Sequence, residues 1–92
     1  MKLPVLYDSL TREQKREVRE EYIRLQNNLC FFCKRNLNST PIEDVDIDWG
    51  LFPRGRGFLK YPIHLQHDHK TGYTEGAAHP FCNAKAWFLY GR

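Results

Sequence analysis

The sequence has no long apolar run. No stretch approaches the roughly 20 consecutive apolar residues that a membrane-spanning helix needs. The first residues, MKLPVLYDSL, have neither the apolar centre nor the small-residue cleavage site of a secretory signal peptide. We therefore expect a cytoplasmic protein with no membrane association. The 92 residues also contain no repeat and no low-complexity tract, which predicts a single domain.

Cysteine is scarce as well, and this argues against a disulfide framework. The chain has three cysteines, so pairing two of them would leave one thiol over, and a reducing compartment disfavours disulfides in any case. A domain of this size has little stability in reserve from its core alone, so a cross-linking metal ion is a plausible supplement. The cysteines are therefore interpreted as metal ligands.

Two short motifs have the spacing of zinc ligands. Cys30-Phe-Phe-Cys33 and His79-Pro-Phe-Cys82 each separate two ligand residues by two others, and such a turn can present both side chains to one tetrahedral ion. These four residues are predicted to hold one structural zinc that bridges residues 30–82. Four protein ligands leave no open position for a substrate. His79 is the weakest member, because a single histidine is often an ordinary packed or surface residue.

Charge is unevenly distributed along the chain, whose net charge is +3. Residues 43–48 carry four acids and no base, whereas residues 49–92 carry six Lys or Arg against Asp68 and Glu75. The basic half could face a polyanion such as DNA. Its small excess could equally serve only to keep the domain soluble. Charge alone leaves both interpretations open.

The N-terminal part predicts an amphipathic helix over residues 11–28. Thr11-Arg-Glu-Gln14 has the pattern of a capping box. Apolar residues follow at helical spacing: Val18, Tyr22, Leu25 and Leu29. Acidic and basic residues four positions apart alternate on the outer side, which is interpreted as a solvated face rather than a DNA-reading helix.

Residues 34–61 are rich in Pro, Gly, Asn and Ser and are predicted to form a long loop with room for one short strand. Arg54 and Arg56 alternate there with aromatic residues. These cations could contact phosphates, or the aromatic residues could pin the loop while the cations stay in solvent. Both possibilities remain open at this point.

A β-hairpin followed by a helix is predicted over residues 63–90. Residues 63–67 alternate as a strand, a Lys-Thr-Gly turn follows, and the return strand leads to a helix that opens at Asn83. In this arrangement the end of the first strand faces the first turn of the helix, so residues 66–67 should lie near Asn83. The predicted fold class is small α+β, an N-terminal helix plus a zinc-stapled β-hairpin–helix module.

These motifs together resemble the HNH endonucleases, also called His-metal-finger or ββα-metal nucleases, and most closely the phage recombination endonuclease VII type. The resemblance rests on CxxC, on H-x-x-H-D-H-x-T-G and on a closing Cys-Asn pair, and it covers residues 11–90. It implies a metal-dependent DNA endonuclease or nickase, in the cytoplasm of a bacterial host if a phage encodes it. The implied cofactors are structural Zn²⁺ and catalytic Mg²⁺ or Mn²⁺, and the chain would act as a monomer or a weak dimer.

The resemblance also implies roles for single residues. His67 is the general base that activates a water molecule, and His69 contacts the scissile phosphate. Asn83 binds the catalytic ion together with the residue before the base. That residue is Gln66, where the family carries Asp or His. A neutral amide oxygen can bind a hard cation, but it adds no charge to the site.

Several further assignments complete the prediction. The DNA face is expected in the 49–92 half, through four cations: Arg54, Arg56, Lys70 and Lys85. Asp68 is assigned to a hydrogen bond that fixes the hairpin, and His64 to packing around the site. Because Gln66 is neutral, two alternatives to an enzyme remain: a zinc-stapled DNA-binding module without catalysis, and a protein-interaction module.

Overall fold

The computed structural model describes residues 2–91. Their architecture is two α-helices and one two-stranded antiparallel sheet, a small α+β fold as predicted. The elements in chain order are α1 (Arg12–Leu25), β1 (His64–His67), β2 (Thr74–Ala78) and α2 (Pro80–Tyr90). Short 3₁₀ helices lie at Tyr7–Ser9, Trp49–Leu51 and Gly55–Leu59. Within residues 2–91, no helix has the length and apolarity to cross a bilayer.

The start of α1 has the predicted capping box, but the helix ends before the predicted residue 28. The Thr11 hydroxyl accepts a hydrogen bond from the Gln14 backbone N–H, and the Gln14 side chain accepts one from the Thr11 backbone N–H. Asn27 and Asn28 adopt φ angles of 55° and 62°, a left-handed conformation that asparagine tolerates better than most residues. The helix therefore ends at Leu25, and the predicted extension to residue 28 is wrong.

The hairpin has a β-bulge at His67, the predicted general base. β1 and β2 pair in register from His64 opposite Ala78 to Gln66 opposite Gly76, and the register then shifts so that His67 lies opposite Thr74. A bulge increases the local twist and changes the direction in which a side chain points. In the turn, the Asp68 carboxylate accepts backbone hydrogen bonds from the next residues, at 2.7 Å from Lys70 N and 3.2 Å from Thr71 N. Asp68 thus fixes the turn, as expected.

Helix α2 begins earlier than predicted. It starts at Pro80, with His79 at the N-cap position, so Asn83 lies in the first turn and does not open the helix. Proline suits the first helical position because the N–H that it lacks has no partner there in any helix. At the other end, Gly91 adopts φ 71°, which closes the helix.

Two buried clusters hold the chain together. The first joins α1, the hairpin and the cysteines: Val18, Tyr22, Cys30, Leu37, Ala77, Ala78 and Cys82. The second joins the 34–61 loop to α2: Ile47, Phe52, Phe81 and Ala84. Aromatic residues of the loop thus pin it onto α2, as one of the two interpretations predicted. The loop contains two 3₁₀ helices, and the short strand for which the sequence left room does not form.

Gly76 lies where β2 meets the end of α1 and the first zinc-ligand turn. A Cβ at this position would stand 2.6 Å from Gln26 Oε1 and 2.7 Å from Phe31 Cδ1. The Gln26 amide cannot retreat cheaply, because it accepts a hydrogen bond from Ala77 N (2.8 Å) and donates one to Ala77 O (2.9 Å). The close approach of these groups therefore requires glycine.

We expect Gly76→Ala to lower the free energy of unfolding by about 1–3 kcal/mol, the usual cost of overpacking a filled site. Gly57→Ala is the matched control, because its Cβ would meet only Arg54 Cβ at 3.5 Å, an ordinary contact. The control should stay within about 0.5 kcal/mol of the parent. Denaturant unfolding of both variants measures the difference, and equal midpoints would show that the Gly76 contact is not tight.

Candidate functional site

The four predicted zinc ligands lie together. Their ligand atoms are all within 4.8 Å of one another. Nδ1 of His79 lies 3.4 Å from Cys33 Sγ and 3.7 Å from Cys82 Sγ. Cys30 and Cys33 come from the turn after α1, whereas His79 and Cys82 come from the start of α2. A metal at this cluster would join the two helices, although the two pairs are far apart in the sequence.

The protonation of His79 suits a metal ligand. Its Nε2 lies 3.0 Å from the backbone carbonyl oxygen of Asn36, and a carbonyl oxygen can only accept, so Nε2 carries the hydrogen. The lone pair of Nδ1 then points at the cysteine sulfurs. Metal-bound histidines usually have this second hydrogen bond, which fixes the tautomer and the ring orientation. His79, the weakest member on sequence grounds, is only 1% exposed and is well placed.

The cysteine thiols change one another's pKa values through hydrogen bonding. A hydrogen bond from Cys82 lowers the pKa of the Cys30 thiol to about 4, and the same bond raises the pKa of Cys82, as does its burial. One thiolate is therefore favoured, and further deprotonation is opposed by the negative charge already present. A divalent cation would remove that opposition, because zinc binds thiolates and releases their protons. Three sulfurs and one imidazole nitrogen are a suitable donor set for zinc.

A second feature is a groove of about 1180 Å³ between α1, the loop around Arg54 and the hairpin. The residues that the HNH resemblance assigns to catalysis all line this groove: Gln66, His67, His69 and Asn83. His64 lines it as well. The structure thus brings together the second set of candidates, at a place separate from the cysteine cluster.

His67 is held by a stack of side chains that the sequence did not reveal. Its ring lies on the Tyr7 ring with centroids 4.0 Å apart and planes within 14°. The Lys15 ammonium lies 4.1 Å from the Tyr7 centroid. Burial lowers the pKa of His67, the nearby His69 and Lys15 lower it further, and Asp8 and Glu75 oppose part of this shift. A lowered pKa favours the neutral imidazole, the state that a general base requires.

Tyr7 reaches His67 through backbone pairing of the N-terminal segment. Tyr7 N donates to Gly72 O at 2.9 Å, and Thr74 N donates to Val5 O at 2.8 Å. These bonds lay the segment along the hairpin beside β2. Nothing in the motifs near His67 points to a residue so far away in the sequence, and no apolar periodicity marks residues 5–7 as a partner of the hairpin.

Gln66 is placed differently from a metal ligand. Its side chain is only 1% exposed, and its Nε2 donates to His67 O at 2.9 Å and to Glu75 Oε1 at 3.1 Å. The bond to Glu75 joins β1 to β2, and the bond to His67 O stays within β1 beside the bulge. Gln66 is thus nearly buried at the edge of the groove, and the role of ion ligand that the resemblance implies for it stays a prediction.

The Asn83 side chain forms a hydrogen bond with His64. Asn83 Nδ2 lies 3.2 Å from His64 Nδ1, and the His64 ring rests edge-on against Phe58 at 4.7 Å between centroids. Burial lowers the pKa of His64 to about 4, partly offset by a backbone hydrogen bond to Phe58. A neutral His64 thus orients the Asn83 amide where α2 meets the groove. This placement agrees with the packing role assigned to His64, and Asn83 fits a ligand position open to the groove.

The predicted DNA contacts are distributed over different surfaces. Of the four, Arg54 alone is among the described residues that line the groove. Arg56 lies over the Trp49 ring, 5.4 Å from its centroid. Lys85 Nζ bonds both Asp44 carboxylate oxygens, at 2.9 and 3.0 Å, so the acidic segment 43–48 offsets its charge. Lys70 is exposed in the hairpin turn.

The cations that do line the groove come mainly from α1, which was predicted to present a solvated face. They are Arg12, Lys15, Arg16 and Arg19. Their spacing of three, four and seven residues places them on one side of a helix. That spacing was visible in the sequence and could have identified a basic stripe. The ion pairs of α1 join Arg24 to Glu21 and Arg16 to Glu13, three residues apart, and not the pairs four apart that the sequence suggested.

Comparison of this chain with family models, with curated proteins and with solved structures finds no match. The geometry of the two sites and the motifs that resemble HNH endonucleases are therefore the observations that bear on function.

Proposed function

We propose that this protein is a metal-dependent DNA endonuclease or nickase of the HNH type. The observation that carries the proposal is the common groove: Gln66, His67, His69 and Asn83 all line it, together with basic residues. Gln66, His67 and His69 are close in the sequence, so the informative member is Asn83, which α2 brings to the same groove. A phosphodiester is a suitable substrate, because a basic groove attracts its charge and a neutral imidazole can activate water beside it.

His67 would perform the proton transfer. Its neutral ring takes a proton from a water molecule, the resulting hydroxide attacks phosphorus, and the bond to the leaving ester oxygen breaks. That oxygen then takes a proton from solvent. The stack on Tyr7 at 4.0 Å restricts the ring orientation. His69, whose ring centroid is 4.6 Å from that of His67, would contact the phosphate.

Of the two residues to which the resemblance assigns the divalent ion, Asn83 lines the groove and Gln66 is nearly buried at its edge. Both are neutral amides, so the phosphate of the substrate and water would supply the remaining oxygen ligands. Bound there, Mg²⁺ or Mn²⁺ would neutralise the charge that develops on the phosphate and the leaving oxygen. The Cys3His cluster would hold the other ion, a structural zinc. Since Asn83 directly follows the ligand Cys82 in the first turn of α2, zinc binding would also fix the position of Asn83.

A test of the proposal is cleavage of supercoiled plasmid by the purified protein in Mg²⁺ or Mn²⁺. We expect nicked or linear product, and none when the divalent ion is omitted from the buffer. Omission is preferable to a chelator, because a chelator would also attack the zinc cluster. Linear duplex, single-stranded DNA and RNA run in parallel define the substrate class. If the protein cleaves none of these substrates with either ion, the result would contradict an enzymatic function.

One observation favours a second candidate, a zinc-stapled DNA-binding module without catalysis. Gln66 contributes no negative charge, and its amide is engaged with His67 O and Glu75. Protein that shifts the mobility of DNA but never cleaves it would support this alternative. Protein that does neither would favour the third, a protein-interaction module.

Gln66 itself provides a sharper prediction. A carboxylate at position 66 would add charge near the ion, but it would also face Glu75, which now accepts a hydrogen bond from the Gln66 amide at 3.1 Å. We therefore expect the double variant Gln66→Asp/Glu75→Gln to cleave at a lower Mn²⁺ concentration than the parent, and Gln66→Asp alone to gain less. Glu75→Gln is the matched control and should gain nothing.

The measurement is plasmid cleavage across a Mn²⁺ titration, with zinc content determined for each variant. Zinc content should not change, because the four cysteine and histidine ligands are intact in every variant. A double variant whose Mn²⁺ requirement equals that of the parent would show that position 66 does not contribute to ion binding.

A further inference from the structure

We propose that the basic stripe of α1, defined as Arg12, Lys15, Arg16 and Arg19, is a wall of the groove that binds the sugar-phosphate backbone of a nucleic acid. The inference rests on the proposed function in one respect, that the ligand of the groove is a nucleic acid. It assigns the main phosphate-binding surface to α1, rather than to the C-terminal half of the chain.

The charges of α1 are segregated around the helix. The four cations of the stripe line the groove, whereas Glu17, Glu20 and Glu21 are not among its lining residues. Arg24, the remaining cation of the helix, lies outside the groove and is paired with Glu21. Glu13 is the one acid of α1 in the lining, 3.7 Å from Arg16. The groove side of α1 therefore keeps a clear positive excess.

The stripe is held rigidly beside the core. Val18 and Tyr22 of the same helix are buried, and the Tyr22 hydroxyl lies 2.9 Å from the Thr74 hydroxyl oxygen of β2. The helix therefore cannot rotate its cations away from the groove without leaving the core. A binding surface on a packed helix loses less conformational entropy on binding than one on a loop.

The stripe is also coupled to the predicted general base. Lys15 lies over one face of Tyr7 at 4.1 Å, and His67 stacks against Tyr7 at 4.0 Å. A phosphate held by the stripe would thus lie along the same groove wall as His67. Such an arrangement would position a chain of phosphates relative to the histidine without any contact to the bases.

The dimensions fit a nucleic-acid backbone. Seven residues of α-helix extend about 10 Å, and phosphates of one strand follow at about 3.4 Å along a duplex axis. Because the strand winds around that axis, successive phosphates are farther apart than the axial rise, and the stripe can therefore meet about two of them. Nucleic acids present such a regular series of negative charges, and the affinity gained from each neutralised phosphate depends on salt in a known way.

The experiment compares two double variants of equal charge change. Arg12→Ala/Arg16→Ala removes the two exposed cations of the stripe, and Arg24→Ala/Arg35→Ala removes two exposed cations outside the groove. Fluorescence anisotropy measures binding to a labelled DNA duplex over a series of NaCl concentrations, without divalent ion. Circular dichroism and zinc content verify that both variants are folded.

We expect the slope of log K against log salt to fall by about 2 in Arg12→Ala/Arg16→Ala, because each phosphate contact contributes roughly 0.9. The control pair should keep the slope of the parent. Equal changes in the two pairs would overturn the inference, because net charge alone would then explain binding. An unchanged slope in both would overturn it as well.

Failure of the inference about the basic stripe can be distinguished from failure of the proposed enzymatic function. Binding is measured without divalent ion, so a chain that binds DNA through the stripe but never cleaves it supports the inference while contradicting the enzymatic proposal. Parent protein that binds DNA with no special role of the stripe contradicts the inference alone. Parent protein that binds neither DNA nor RNA contradicts both.

Discussion

Replacement of Cys82 by serine is expected to abolish zinc binding and to unfold most of the protein. Cys82 belongs to the buried cluster that joins α1, the hairpin and the cysteines, and its sulfur is one of four ligand atoms within 4.8 Å of one another. Zinc binding to such sites contributes about 10–16 kcal/mol to folding at neutral pH, while a small domain has about 5–15 kcal/mol in total. Loss of the metal therefore exceeds what the core can offset.

Metal analysis and thermal unfolding measure both effects. Ala86→Ser is the matched control, because it places the same hydroxyl at a buried position of the same helix without touching a ligand. It should lose about 1–3 kcal/mol and keep its zinc. Chelation of the parent protein should reproduce the unfolding, and added zinc should reverse it. A folded parent with no zinc, or a Cys82→Ser variant as stable as the control, would contradict the prediction.

The grouping of Cys30, Cys33, His79 and Cys82 could be predicted because its signal is local. The spacing within each pair is set by the geometry of a turn around a metal, and only the pairing of the two turns is long-range. The capping box at Thr11 is local in the same way. The errors at helix ends have local causes too: Asn27 and Asn28 take left-handed φ angles, and Pro80 opens α2 before Asn83.

The groove could be predicted only in part. Its histidines and Asn83 follow from motifs, but Tyr7 depends on backbone pairing between the N-terminal segment and the hairpin, which no side-chain pattern announces. The orientation of Gln66 depends on the bulge after it and on Glu75, so the position of this residue in a motif does not determine what its amide contacts. The contact between Asn83 and His64 joins α2 to β1, and the spacing of residues within either motif does not reveal it.

The basic stripe shows a different kind of error. Opposite charges four residues apart on α1 favour a solvated face, whereas the positions of the cations as a set define one side of the helix. That side borders the groove because Val18 and Tyr22 fix the helix rotation. The core residues of an amphipathic helix therefore also determine which of its charges face a site.

The second large effect is expected from His67→Ala, which should abolish plasmid cleavage and leave DNA binding nearly intact. A general base contributes roughly 10²–10⁴-fold to rate, and the proposed phosphate contacts come from other residues of the groove. His67→Gln is the matched control, since it keeps a polar side chain of similar length beside Tyr7 but has no group that can take a proton near neutral pH. Both variants should lose the same activity.

Three measurements separate the possible causes of such a loss. Zinc content and thermal unfolding should match those of the parent, because none of the four residues of the Cys3His cluster is among those that line the groove. Anisotropy without divalent ion should give a similar DNA affinity, because His67 is proposed to act on water rather than to hold the substrate. If both variants cleave within a few-fold of the parent, His67 is not the base. If His67→Gln cleaves and His67→Ala does not, the side chain at position 67 supports activity by packing against Tyr7 and not by taking a proton. Another group of the groove must then act as the general base.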